Sequence, residues 1–141
     1  MLRAMKLDEK GRFRAPPKLD AAAQRVSETV RSWPTVHARA HWLLGDETTI
    51  DGADFYVGER ELGHIHLDSE AHVMQVRSVA DAVIAAKLGR ALPWSRSAVV
   101  FPIASRADVE HALWLFRLQY DRLVGVASSA LLERVRARVG E

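Results

Sequence analysis

The sequence predicts an α+β fold, an antiparallel sheet of about four to five strands (a meander plus a later strand) packed with about four helices. Three observations carry this. Apolar residues alternate with polar ones in 35–44 and again around 54–76. Segments with apolar residues at helical spacing stand before, between and after these runs. A Gly58-Glu59 pair separates two strand-like runs, as a two-residue hairpin requires. The composition fits: 141 residues, 48% hydrophobic and 27% charged, are enough for one core and too apolar for disorder.

The first 18 residues hold six Lys/Arg (Arg3, Lys6, Lys10, Arg12, Arg14, Lys18) against Asp8 and Glu9. The net charge of +2 therefore belongs to this end of the chain. Residues 1–18 read as a basic arm, poorly ordered or loosely docked, and 19–141 as a single α+β domain. The arm is short and has one aromatic residue, Phe13, which argues against a nucleic-acid partner. Asp20 is placed to cap a helix over 21–32, with Val26 and Val30 on one face. Trp33-Pro34 ends it. Thr35 to Leu44 alternates as a strand, with His37, Arg39 and His41 on one side. Residues 45–52 read as a polar loop.

The hairpin strands follow, Asp54–Val57 and Arg60–Leu67, then a turn at Asp68-Ser69-Glu70 and a third strand, 71–76. With the Gly58-Glu59 turn setting the register, Leu62 faces Phe55 and His64 faces Ala53. Ser78 and Asp81 open a helix that runs to Leu88, with Gly89 as its stop. A basic connector with Lys87, Arg90, Trp94 and Arg96 leads to a buried strand, 98–103. Ser105 and Asp108 start a further helix carrying Val109, Leu113, Phe116, Tyr120 and Leu123. Gly125 breaks it, and a last helix spans 128–139.

The chemistry concentrates in His64-Ile65-His66. Residues i and i+2 of a strand share a face, so both imidazoles point the same way, with Arg60 and Leu62. In the expected register that face also holds Phe55. His72 joins it if the turn around Ser69 has an odd number of residues. His64, His66 and His72 are then candidate ligands for zinc, copper or iron, with Asp68 or Glu70 behind them. The same histidines suit metal-free proton transfer, and they also suit a purely structural, hydrogen-bonded place in the sheet. His37 and His41 read as an exposed polar face that extends the pocket only if their strand pairs beside the meander. His111 reads as surface. Trp94 with its basic neighbours offers a planar or anionic ligand a contact, and Tyr120 a hydroxyl at a pocket rim.

Several classes are excluded. The chain has no cysteine, so disulfides and thiolate chemistry are out, which fits the cytoplasm. It has no phosphate-binding glycine loop, dinucleotide fingerprint or nucleophile elbow. No apolar run is long enough for a membrane span.

Arg60-Glu61-Leu62-Gly63-His64-Ile65-His66 followed by Asp68, Val99-Val100-Phe101-Pro102, the Arg106–Glu110 helix start and Tyr120 together resemble the luciferase-domain family. That family includes the fungal luciferases and uncharacterised bacterial proteins. The resemblance spans about Phe55 to Leu123. It implies an α+β domain that binds a small molecule. By analogy with the fungal branch, it also implies oxygen-dependent oxidation of an acidic hydroxyl or enol without an organic or nucleotide cofactor. In that reading His64 and His66 are catalytic, and Arg60, Phe55, His72, Trp94 and Tyr120 contact the substrate. No cofactor is required, and a transition metal on His64, His66 and His72 is the one candidate. The chain lacks the hydrophobic N-terminal anchor of the fungal enzymes, and Trp94 lies several residues before the position where the family has a tryptophan. The alternative is a non-catalytic domain that self-associates, as a homodimer, with structural histidines.

Overall fold

The computed structural model describes residues 11–140. Its sheet has six antiparallel strands in the order β1-β2-β3-β4-β6-β5, two at most more than expected. The extra strands come from segments whose polarity hides their pairing. β1 (Val36–Leu43) turns at Leu44-Gly45 into β2 (Asp46–Val57). Residues 46–51 are therefore strand and not loop. This part of the hairpin is exposed or half-exposed on both faces, so nothing enforces an apolar alternation. Asp46 stiffens it by accepting hydrogen bonds from the Thr48 amide and the Thr49 hydroxyl. The basic connector likewise contains a strand, β5 (Arg90–Leu92), joined to β6 (Ser95–Pro102) by a Pro93-Trp94 turn.

The Gly58-Glu59 hairpin forms between β2 and β3 (Arg60–His66), with Gly58 at φ 60°. Its register holds only at the turn, where Val57 faces Arg60 and Tyr56 faces Glu61. A bulge then absorbs Leu62, and Phe55 faces Gly63, Asp54 faces His64 and Ala53 faces Ile65. The physical reason is a conflict of parity. Leu62, His64 and His66 share a face in a regular strand, yet Leu62 is fully buried in the apolar core. One extra residue lets Leu62 turn inward while the imidazoles stay outside. A three-residue turn, 67–69, with Ser69 at φ 72°, leads to β4 (Glu70–Met74). His72 then lies directly opposite His64.

All the helices pack on the other face of the sheet. α1 (Ala21–Ser32) lies against β1 and β2, and α3 (Val109–Leu123) against β3 and β4. α2 (Arg77–Ala85) covers β6, and α4 (Ser128–Val139) covers α2 and α3. Phe55, Ile65, Val73 and Val99 from the sheet meet Val26, Val30, Val83, Phe116 and Leu131. Phe55 and Phe116 touch edge to face, 5.7 Å between ring centres.

Helix starts and stops depart from expectation in places. Asp20 and Ser78 make no side-chain cap; α2 begins at Arg77, and Lys87, at φ 60°, takes the left-handed position after it in place of Gly89. The Ser105/Asp108 capping box does form, ahead of a short 3-10 turn into α3. Of the basic arm, residues 11–18 dock on the outer edge of β1. The Ala40 amide donates to the Arg14 carbonyl at 2.8 Å, and the Trp42 indole donates to that of Arg12 at 3.0 Å. The rest of the arm lies outside the described residues.

Candidate functional site

The face of the sheet opposite the helices carries four imidazoles in one group. Cross-strand pairing aligns Arg39, Asp54, His64, His72 and Val100 in one row, and His41, Gly52 and His66 in the next. Residues opposite one another across antiparallel strands share a face, so these rows bring His41, His64, His66 and His72 together. His41 stacks on His64, with ring centres 4.2 Å apart and planes 7° from parallel. His66 meets His41 and His64 edge-on, at 5.2 and 4.9 Å. His72 lies 4.9 Å from His64 and 4.6 Å from His66.

Each ring is held by a carboxylate. His41 Nδ1 lies 2.7 Å from Asp54 Oδ1, and His66 Nδ1 lies 2.8 Å from Asp51 Oδ2. His64 Nδ1 lies 3.0 Å from Glu61 Oε2, with Asp54 Oδ1 at 3.9 Å. His72 Nε2 lies 2.9 Å from Glu70 Oε1. An ionised carboxylate only accepts, so the nitrogen facing it carries the ring proton. In the neutral form of such a ring the other nitrogen keeps its lone pair.

The site is largely shielded. The side chains of His64 and His72 are 13% and 8% exposed, and Asp54 is 1% exposed. Burial pushes the pKa values of His64 and His72 below the usual histidine value, against the opposing pull of Glu61 and Glu70. Both rings are therefore neutral at pH 7. Tyr56 lies below Asp54, its hydroxyl 3.5 Å from Oδ2, and burial followed by the Asp54 charge raises its pKa far above the usual phenol range.

The sequence-derived candidates divide. His64, His66 and His72 come together, and Trp94, 59% exposed, stands 6.4 Å from the His72 ring at the border of the cluster. Phe55, expected beside the histidines, faces the helices, because the Leu62 bulge reverses the expected sharing of faces. Arg60 pairs with Val57 and is exposed at the hairpin end, in the row displaced by the same bulge. Tyr120 lies in the helical layer, where its hydroxyl donates to the Pro34 carbonyl at 2.9 Å. Asp68 accepts the Glu70 amide and shapes the turn, so Glu70 is the carboxylate at the cluster.

Sequence reasoning left His41 conditional, and the pairing of β1 beside the meander brings it in. It missed Asp51, Asp54 and Glu61, which only the pairing between strands and the local turn of β3 bring to the rings. His37 stays apart, donating to the Gly58 carbonyl and stacking on Tyr56. His111 is half-buried, not on the surface. It donates to the Leu88 carbonyl and stacks on Trp114.

Two grooves among the described residues lie in the helical layer. One, of about 530 Å³, lies between Trp33, Trp114, Arg25 and Arg106, and the other, of about 440 Å³, between α2 and α4.

An α+β domain with a histidine-rich open sheet face is the class that fold and site define. Within it, residues 59–119 match the family model of the luciferase domain, and the chain is similar to that family over this segment. No curated protein and no solved structure matches the chain. The match runs from the Gly58-Glu59 turn into α3. It contains Glu61, His64, His66, His72 and Trp94, and stops short of Tyr120. His41, Asp51, Asp54 and Phe55 precede it. Among the described residues, no helix is long and apolar enough to cross a membrane.

Proposed function

We propose that the chain binds a small molecule with an acidic hydroxyl, an enol or phenol, on the histidine face, and that the imidazole–carboxylate pairs take its proton. The observation that carries this reading is the gathering of four imidazoles with a carboxylate on one nitrogen of each ring, two of which, His64 and His72, burial holds in the neutral form. A neutral imidazole accepts the proton at its free nitrogen. The carboxylate on the other nitrogen stabilises the imidazolium that results. His64 and His66 are the acceptors in this scheme, and Trp94 supplies a flat apolar surface for the ring of the substrate. The enolate left behind is the electron-rich form that dioxygen oxidises, the reaction class that the luciferase-like segment suggests.

The test uses a 3-hydroxy-pyrone as probe. Mixed with excess protein near neutral pH, it shows the absorbance of its anion, and dissolved oxygen falls over time. His64→Gln and His66→Gln reduce oxygen consumption by roughly a hundredfold, the usual size of a lost general base. A probe that keeps the spectrum of its neutral form and consumes no oxygen sinks this reading.

A further inference from the structure

We propose that His41, His64 and His66 bind a transition-metal ion, with His72 beside them as a fourth donor and Asp51, Asp54, Glu61 and Glu70 holding the rings in place. The inference rests on the small-molecule reading only in the place of the site: a ring nitrogen that binds the ion does not at the same time accept a proton, so the acceptor role of His64 and His66 belongs to the ion-free protein.

The first argument is a count of donors and acceptors. The four ring protons point at carboxylates, so the remaining nitrogens present lone pairs to one another with no donor among them. One ring nitrogen from each of His41, His64 and His66 lies within 4.8 Å of the others. His66 Nε2 is buried and has no hydrogen-bond partner among the described residues. A buried acceptor without a donor is costly, and a cation beside His66 Nε2 removes that cost.

The second argument is the support of the ligands. Histidines that bind metals commonly give their other nitrogen to a carboxylate, which fixes the tautomer and strengthens the donor. That arrangement is present four times over within one group of touching rings. Two of the four pairs, His41 with Asp54 and His66 with Asp51, join different strands, so local sequence proximity does not produce them. Asp54, Glu61 and His64 also bring ligand atoms close together, but both carboxylates of that set are already engaged with His41 and His64.

The third argument concerns which ion. Neutral imidazoles suit zinc, copper, iron or nickel, whereas calcium and magnesium prefer oxygen donors. Ligand bonds of about 2.0–2.1 Å to zinc require the three nitrogens to close in from their present spacing. They also require His41 and His64 to tilt out of their parallel stack, since two parallel rings cannot both aim an in-plane lone pair at one ion.

The test uses the full untagged chain, stripped with chelator and titrated with Co²⁺. The expected result is one ion per chain with visible d–d absorption, displaced by Zn²⁺. His41→Ala and His66→Ala abolish the spectrum. Asp51→Asn, at a half-exposed position, weakens binding by about 10–100-fold with unchanged circular dichroism. His37→Ala leaves binding as it was. Nitrogen-15 spectra of the unsubstituted protein give a second readout that needs no variant. Zn²⁺ shifts the unprotonated ring nitrogens of His41, His64 and His66, and not those of His37 and His111. Absence of stoichiometric binding, or binding that survives His41→Ala and His66→Ala, overturns the proposal. Pyrone binding is measured in parallel on stripped protein. If it persists while ion binding fails, only the ion proposal falls. If the ion binds and the pyrone does not, the small-molecule reading falls and the ion site stands.

Discussion

Tyr120 shows how a side chain is assigned to the wrong face from its type alone. A tyrosine on an apolar helical stripe has a hydroxyl that must find a partner, and a pocket rim is one place to find it. In the fold the partner is the Pro34 carbonyl, and the ring packs on Trp33 with the Arg117 guanidinium 4.8 Å from its centre. These contacts tie α3 to the loop that follows α1. Tyr120→Phe keeps the ring and loses one partly buried hydrogen bond, so it costs about 1 kcal/mol in urea unfolding. It leaves ligand binding on the histidine face unchanged. A variant as stable as the parent but defective in binding would return Tyr120 to the site. The histidines behave in the opposite way. Period-two spacing places His64 and His66 on a common face whatever the rest of the chain does, and that much of the site was legible from the sequence. His41 and the carboxylates of β2 were not, because they join only through pairing between strands.

At the scale of elements, the departures from expectation share one cause. Helices α1 and α4 are found at the residues their apolar spacing predicts, since a helix declares itself within its own segment. Strands are read by alternation, and alternation fails where both faces are polar, as in 46–51, or where a bulge changes parity, as at Leu62. A single residue of slip changed the residue opposite His64 from the expected Ala53 to Asp54, and moved Phe55 from the histidine face to the core. The β3–β4 pairing has its own requirement at Gly63. A Cβ there would lie 2.5 Å from the His72 carbonyl oxygen and 3.0 Å from both Val73 Cα and the Phe116 ring, with φ at 157°. Two of those atoms are backbone and cannot rotate away. Gly63→Ala therefore forces β3 and β4 apart and costs about 3 kcal/mol, at the upper end for overpacking. Thermal unfolding measures it. Because His72 faces His64 across this pairing, the variant also weakens whatever the histidine face binds, even at temperatures where it stays folded. A stability within a few tenths of a kcal/mol of the parent would mean that the strands do not approach so closely.

The whole molecule separates two tasks by face. The helical side holds the main apolar core, to which α4 contributes Leu131 and Val135 from beyond the matched segment. The opposite side gathers imidazoles and carboxylates that contribute little apolar burial. This division makes stability depend on pH in a definite direction. Burial lowers the pKa of His64 and of His72 in the folded protein, and the unfolded chain binds the same protons near the ordinary value of about 6.5. The folded state thus gives up binding energy for protons that the unfolded state takes. The contribution of these two groups is complete above that ordinary value. As pH falls below about 6.5 the unfolded chain takes protons first, and stability declines until the folded pKa values are reached. In metal-free protein, urea unfolding free energy is therefore expected to drop between about pH 7 and pH 5. The paired substitution His64→Gln with His72→Gln flattens the slope while leaving the helical core intact. A parent curve that stays level or rises on acidification would show that the carboxylates stabilise the charged rings more than burial opposes them, and the two histidines would then be cations in the folded protein near neutral pH.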